Sequence, residues 1–461
     1  MLSYANKKAA AWQPTGLTKS GLSGALRWAM MRGTKSPKRQ ARAIRYRGER
    51  RNRTLPPLRA PVAGFLLSLL VLLSPDLTLA PLSAVEPQRL PVPVDLLDAP
   101  TPRPRVQPFD RAAAATDPAP VAAAALPQVD AAPFEAAIAA ARETGGAYGV
   151  TFAAVRDGQL VWSGAVGRQR DGETTLLPDD PLLIGSVTKT FVAAAILQLA
   201  EEGRLDLDDA LRDHLPAMSS ISREITLRQL LDHTSGLADL FNDTTRTGLE
   251  DHPEHAWTTA EVFKTLHAPW YQPGEGWAYA NTNYYLLGLV IERITGASLA
   301  DELQARFMAP LGLGHTRVLS GATDDGGPLA PAWATIFWAS GAMTASAADL
   351  AHWGDALYDG AILSDASAGA MIALNRDQYG LGSQRIDVPG GFGYGHTGML
   401  NTYTTLLLYL PEQDVTVALL VNRTEVDLGG MLAARPPGGN SLLELVGVEA
   451  PKPAASPSPS P

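Results

Sequence analysis

Ser186-Val187-Thr188-Lys189 sets a serine at the mouth of a long apolar run, Phe191 to Leu199, with a lysine three residues on. On a helix, positions i and i+3 share a face with Cβ atoms about 5 to 6 Å apart, so the amine of Lys189 can reach the hydroxyl of Ser186. A serine hydroxyl attacks poorly until a neighbour takes its proton, and a helix N-terminus favours the alkoxide. The spacing therefore predicts a nucleophile and its base. The structural alternative is a serine that only caps a buried helix.

Two further stretches supply partners for such a pair. Tyr279-Ala280-Asn281 lies between Pro273-Gly274 and an apolar helical pattern. Two apart in extended backbone, Tyr279 and Asn281 face one side. A phenol there can relay protons between Ser186 and a leaving group, and an amide can hold a substrate carbonyl. Otherwise Tyr279 is a core residue and Asn281 a turn residue. The other stretch is Gly391-Phe392-Gly393-Tyr394-Gly395-His396-Thr397-Gly398-Met399. Its glycines let a second backbone approach the strand edge. His396 offers a donor or, at its ordinary pKa, a charge that switches near neutrality, and Thr397 a hydroxyl for the polar end of a substrate. The alternative here is a glycine-rich hairpin with a structural histidine.

These groups run from Ser186 to Met399, so the fold must gather them. Phe134 to Glu143 reads as a helix, and Tyr148 to Val155, Asp157-Gly158 and Leu160 to Val166 as a hairpin turned at Asp-Gly. Helical patterns follow the Ser186 segment at Leu227 to Leu231, Thr259 to Leu266, Tyr284 to Ile294, Leu299 to Phe307 and Ala348 to Tyr358. Strand patterns return at Phe392 to His396, Tyr403 to Leu410 and Val415 to Val421. Strands at both ends with helices between predict one sheet built from distant parts of the chain, with a largely helical insertion and a cleft between the two.

The chain has 461 residues and no cysteine, which excludes disulfides and thiolate metal sites. Its net charge of −9 is divided: residues 1–60 hold 15 basic residues and one acid, net +14, and the remainder 23 basic and 46 acidic residues, net −23. An acidic body argues against nucleic acid as a partner. Residues 1–84 read as a basic flank and a secretory signal, with the apolar run Val62 to Leu73 and the small-residue end Leu82-Ser83-Ala84. Cleavage after Ala84 is expected, with an uncleaved anchor as the alternative, and Met30 or Met31 as alternative starts. Residues 85–133 are a Pro/Ala-rich linker, 134–448 the folded domain, and 449–461 a Pro/Ser tail without a core-forming pattern. Export follows as the expected localisation, with membrane or wall association through the N-terminal segment left open, as is the oligomeric state.

In this order and at these separations, Ser186-Val187-Thr188-Lys189, Tyr279-Ala280-Asn281 and His396-Thr397-Gly398 resemble the three motifs of the serine β-lactamase-like superfamily. The branch resembled is that of class C β-lactamases, DD-carboxypeptidases and related esterases. Leu230 to Leu237 and Ser340 to Leu350 look like the family too. The resemblance implies an α/β (α+β), β-lactamase/transpeptidase-like fold: an antiparallel sheet flanked by helices, plus a mostly helical subdomain. It implies an acyl-enzyme mechanism without cofactor, in which Ser186 attacks, Lys189 and Tyr279 share its proton, and water then deacylates with Tyr279 as base. The backbone N–H groups of Ser186 and Met399 would hold the oxyanion. Asn281, His396, Thr397 and Gly398 would bind a small-molecule or peptidoglycan-like peptide substrate. His396 stands where β-lactamases of this branch carry lysine, which points to a DD-carboxypeptidase or esterase rather than a β-lactamase.

Rival readings come from other classes. A non-turnover penicillin- or wall-binding module would take an acyl group and keep it. A metal hydrolase is suggested by His252, His255 and His267, but no His-Glu-x-x-His helix accompanies them, and no metal site is expected. His233 and His315 read as structural hydrogen-bonders. Ser235 lacks a lysine three residues on. Leu240 to Trp257 and Leu319 to Ala334 are the expected walls of the pocket.

Overall fold

A computed structural model describes residues 129–218, 221, 224–319 and 329–449. The readings for the basic flank and signal, for the linker up to residue 128, for the tail from residue 450 and for part of the second pocket wall lie outside these residues.

The domain opens with α1 (Ala131–Gly145), capped by the Asp130 carboxylate on the N–H of Ala132 and closed by Gly146 at φ 57°. The helix thus takes the last three residues of the stretch read as linker. β1 (Gly149–Arg156) and β2 (Gln159–Gly167) form the expected hairpin. Its turn residues Asp157 (φ 50°) and Gly158 (φ 70°) are both left-handed, as a two-residue turn that matches strand twist requires.

The last third of the chain supplies β6 (Gln384–Val388), β7 (Gly391–Leu400), β8 (Tyr403–Leu410) and β9 (Val415–Val421). With the hairpin they make a six-stranded antiparallel sheet in the order β2-β1-β9-β8-β7-β6, so the first strand pairs with the last. β6 was not anticipated, since Gln384-Arg385-Ile386-Asp387-Val388 mixes charge into a short edge strand. Leu182–Leu183 (β3), Arg317–Val318 (β4) and Met343–Ala345 (β5) make a small second sheet ordered β3-β5-β4.

Alternate residues of the large sheet serve two cores. Val150 and Phe152 of β1, Leu406 and Leu408 of β8, and Val417 and Leu419 of β9 pack on Phe134, Ile138 and Ala141 of α1. Ala153, Leu407, Ala418 and Leu420 face the helical region instead. Both faces being covered, the strands read as unbroken apolar runs.

The helical region is centred on α2 (Thr188–Glu201), in which every residue from Thr188 to Leu197 is buried. A helix apolar all round belongs in the middle of a protein. Around it lie α3 (Asn281–Thr295), α4 (Pro331–Gly341) and α5 (Ala347–Tyr358). The pattern read as one helix over Leu299 to Phe307 is an α-turn, Leu299–Leu303, continued by a wider π-turn, Gln304–Met308.

Candidate active site

Ser186 occupies a single 3₁₀ turn, Gly185–Val187, that runs into α2. Gly185 is left-handed at φ 51°, and a Cβ on it would lie 2.7 Å from the backbone nitrogen of Met399. Gly398 presses from the other side, where a Cβ would land on the carbonyl oxygen of Ile184 and lie 3.2 Å from the nitrogen of Ser186. Two glycines thus let β7 and the serine turn meet backbone to backbone, and the N–H groups of Ser186 and Met399 are brought together. The Met399 side chain itself is 60% exposed.

Lys189 is fully buried. Its Nζ donates to Ser186 Oγ (3.0 Å), to Asn281 Oδ1 (2.9 Å) and to the Ser340 carbonyl (2.6 Å). Three acceptors match the three hydrogens of an ammonium. Burial nevertheless pulls its pKa down to about 7, against the opposing charge of Asp239. Near neutral pH the group therefore passes between ammonium and amine.

Tyr279 lies over this lysine, with its ring centroid 4.8 Å from Nζ. Its hydroxyl is buried without a hydrogen bond of ordinary geometry, though Ser186 is near enough to favour its ionised form. Burial outweighs that influence, and the Asp239 charge adds to it, so the phenol pKa stands well above its usual value. Of the two groups expected to share the Ser186 proton, Lys189 is the one able to be neutral and basic near pH 7.

Asn281 opens α3 rather than sitting in the loop before it. The amide expected to face a substrate carbonyl is engaged inside the protein, with Oδ1 on Lys189 and Nδ2 donating to Asp239 Oδ2 at 3.2 Å. Asp239 was not singled out from the sequence, nor was the Ser340 carbonyl. The only local signal for Asp239 is its place two residues beyond the Leu230 to Leu237 stretch.

His396 is 2% exposed, with Nε2 2.9 Å from the Tyr379 hydroxyl and Nδ1 2.6 Å from the Thr397 carbonyl. Burial, reinforced by the Lys189 charge and opposed by the Thr397 carbonyl, lowers its pKa to about 3. The expectation of a charge that switches near neutrality is therefore corrected: the ring is a neutral donor to a carbonyl and an acceptor for a tyrosine. Thr397 Oγ1 accepts from Gln384 Nε2 at 3.0 Å. β6 pairs with β7 only over Gly391 to Gly395, so among the described residues His396 to Leu400 have no partner strand on that side.

His233 lies beneath the site, fully buried and left-handed at φ 62°. Its Nδ1 is 2.9 Å from Asn283 Nδ2 and accepts from the N–H of Ala280, and its carbonyl accepts from Ala278, so it clamps both neighbours of Tyr279. Ser235 Oγ donates to Asn283 Oδ1 at 2.6 Å and belongs to this support. His252 and His255 pair separately with Glu254 and Glu261. Of the segments read from the sequence as pocket walls, the first carries Phe241, 40% exposed, which packs against Phe337 (5.3 Å between centroids), and Phe337 stacks on Trp333 of the second at 5.6 Å.

A sequence model of the family described as Beta-lactamase matches residues 134–435. Penicillin-binding protein 4 of Amycolatopsis lactamdurans is 27% identical over 311 residues, covering 59% of this chain and 80% of that protein. Protein flp of Staphylococcus aureus (strain MW2) is 33% identical over 174 residues, covering 36% of this chain, and the match spans about a third (34%) of that protein's length. Among solved structures, a D-stereospecific amidohydrolase from Streptomyces sp. superposes with a TM-score of 0.57 at 28% identity, over 66% of this chain and 98% of that one.

Proposed function

The chain belongs to the Beta-lactamase family, and on that premise we propose that it hydrolyses a small amide or ester through an acyl-enzyme on Ser186, with Lys189 as the base. The observation that carries this reading is the set of three acceptors around Lys189 Nζ. On losing one proton the amine keeps two donors for Asn281 and Ser340 and turns its lone pair to the Ser186 hydroxyl. Ser186 Oγ then bonds to the substrate carbonyl carbon as its proton passes to Lys189. The backbone N–H groups of Ser186 and Met399 receive the oxyanion, a kind of contact worth about 10²- to 10³-fold in rate each. Tyr279, held as a phenol, passes its proton to the leaving group as the bond from that group to the acyl carbon breaks, and takes the Ser186 proton from Lys189, which returns to the neutral amine. Water then attacks the acyl carbon, its proton passing to Lys189 and on to Ser186 Oγ as the acyl-serine bond breaks.

The side of the site that meets the leaving group favours an uncharged one. His396 is neutral and Thr397 is engaged by the amide of Gln384, so the third motif supplies no cation for a carboxylate. This ranks amide or ester substrates above DD-carboxypeptidase and β-lactam substrates, both of which present a carboxylate. The amidohydrolase resemblance points the same way. The aromatic wall of Phe241, Phe337 and Trp333 suits an apolar acyl group.

The test is a panel of D-amino acid amides, aryl esters, a D-Ala-D-Ala peptide and a chromogenic cephalosporin, with labelled fluorophosphonate to mark Ser186. Faster turnover of the carboxylate-bearing substrates would overturn the ranking, and a persistent β-lactam adduct with no turnover of any substrate would favour a binding module. We further propose export, from the pattern of residues 62–84 alone; N-terminal sequencing of the secreted protein tests it, and a start before Val62 removes cleavage.

A further inference from the structure

Asp239 is a half-buried carboxylate near the proposed base, and each hydrogen bond it makes among the described residues is accepted from an N–H donor. Its Oδ1 accepts from the backbone nitrogens of Phe241 (3.1 Å) and Asn281 (3.0 Å), and its Oδ2 from Asn281 Nδ2 (3.2 Å). An amide presents two hydrogens on one side and lone pairs on the other. Once Asp239 has taken the nitrogen of Asn281, the oxygen must face Lys189, and there it accepts from Nζ. We propose that Asp239 is the orienting residue of the site: acting through Asn281, it fixes the Lys189 amine on the Ser186 hydroxyl and sustains its charge.

This rests on the acyl-enzyme reading above and adds a fourth member to it, an orienter behind the base as in other nucleophile-base-orienter arrangements. The other groups that face Lys189 cannot fill this role. His233 and His396 are held neutral by burial and bring no charge to the amine. Tyr279 and Tyr284 offer ring faces, at 4.8 and 5.5 Å, and burial keeps both phenols protonated. Among the described residues, Asp239 is the one negative group acting on the amine.

An asparagine at position 239 would keep an oxygen for the two backbone N–H groups and turn its own NH₂ toward that of Asn281. Two donors cannot face each other, so Asn281 must rotate and present its NH₂ to Lys189. Both the acceptor and the charge that favour the ammonium are then lost, and the lysine gives up its proton more readily.

The test is the pH profile of kcat/KM on an aryl ester for the full chain, Asp239→Asn and Asp239→Glu, with fluorophosphonate labelling of Ser186 as a second readout. For Asp239→Asn the acidic limb is expected to move to lower pH and the plateau to fall about 10- to 100-fold, the loss of one hydrogen bond to a charged group. Asp239→Glu keeps the charge but not the reach, and is expected to hold the limb while losing rate. A lowered plateau with an unmoved limb in Asp239→Asn would mean a merely structural role and overturns the proposal, as does a wild-type profile in either variant. If Asp239→Asn does not fold, Asp239→Glu decides alone, because full activity there removes the need for this geometry. Should the unaltered protein neither turn over ester nor take the label, it is the acyl-enzyme reading that has failed, not the place of Asp239.

Discussion

Gly398 of β7 lies so close to Ile184 that a single methyl group on it would occupy the Ile184 carbonyl oxygen. That contact seats the serine turn on the sheet, close to the two backbone nitrogens proposed to hold the oxyanion. Gly398→Ala is therefore expected to cut kcat/KM at least about 100-fold, the cost of one misplaced oxyanion donor. Gly391 on the same strand has open space where a Cβ would go, and Gly391→Ala should retain both activity and melting temperature. Steady-state kinetics and thermal melts of the pair decide it; equal losses in both variants would point to strand propensity rather than the contact.

Lys189, the proposed base, is expected to set the pH dependence. Only its neutral form can take the Ser186 proton, and its pKa lies near 7, so kcat/KM is expected to rise with pH through that value. His396, lowered to about 3, contributes no limb between pH 5 and 9. His396→Gln, which retains an acceptor for Tyr379, should lower the rate without moving the limb. A limb that disappears with His396 would reverse this assignment.

Ser186→Ala removes the proposed nucleophile and is expected to lower turnover by at least about 10³-fold, as the loss of a unit residue does in other acyl-transfer sites, and to abolish labelling by fluorophosphonate. A variant that still opened an activated ester at the native rate would end the mechanism.

Gln384 is the amide that meets Thr397. Gln384→Arg would add a cation to a side of the site that has none from its third motif. It should raise kcat/KM for a carboxylate-terminated peptide relative to the matching primary amide by about tenfold, the value of one charge-assisted hydrogen bond. An unchanged ratio would show that this edge does not meet the leaving group.

Away from the site, Asp355 on α5 accepts from the Gly158 nitrogen at 2.8 Å. Burial raises its pKa to about 6, against that N–H, and the charges of Asp359, Asp414 and Asp157 add to the rise. A carboxyl whose folded pKa exceeds its unfolded value stabilises below the unfolded value, and that stability is lost as pH rises through about 6. Asp355→Asn is thus expected to gain about 1 to 2 kcal/mol at pH 8, and much less at pH 5. Melting curves at the two pH values check this, and equal gains at both would refute it.

Much of the site was legible because its signals are local. Lys189 lies three residues beyond Ser186, Tyr279 and Asn281 flank the start of one helix, and the glycines of Gly391 to Gly398 announce a close approach. The Asp-Gly turn and the apolar strands were legible for the same reason. What was missed depends on distant contacts. The Ser340 carbonyl reaches Lys189 across 151 positions and carries no side-chain signature. Asp239 looks like any loop acid until Asn281 is set against it. The neutrality of His396 is a consequence of burial under Tyr379, which no spacing encodes.

Because β1 is flanked by β2 on one side and by β9 on the other, the opening strand stays half-zipped until the closing one is made. Gly149 waits for Asn422, 273 positions downstream, to receive its N–H. Non-local pairing of this kind slows folding. A ribosome-bound fragment ending before β7 would hold Ser186 and Lys189 yet lack Met399, so catalytic competence should emerge late in synthesis, and a truncated product is barred from acting prematurely.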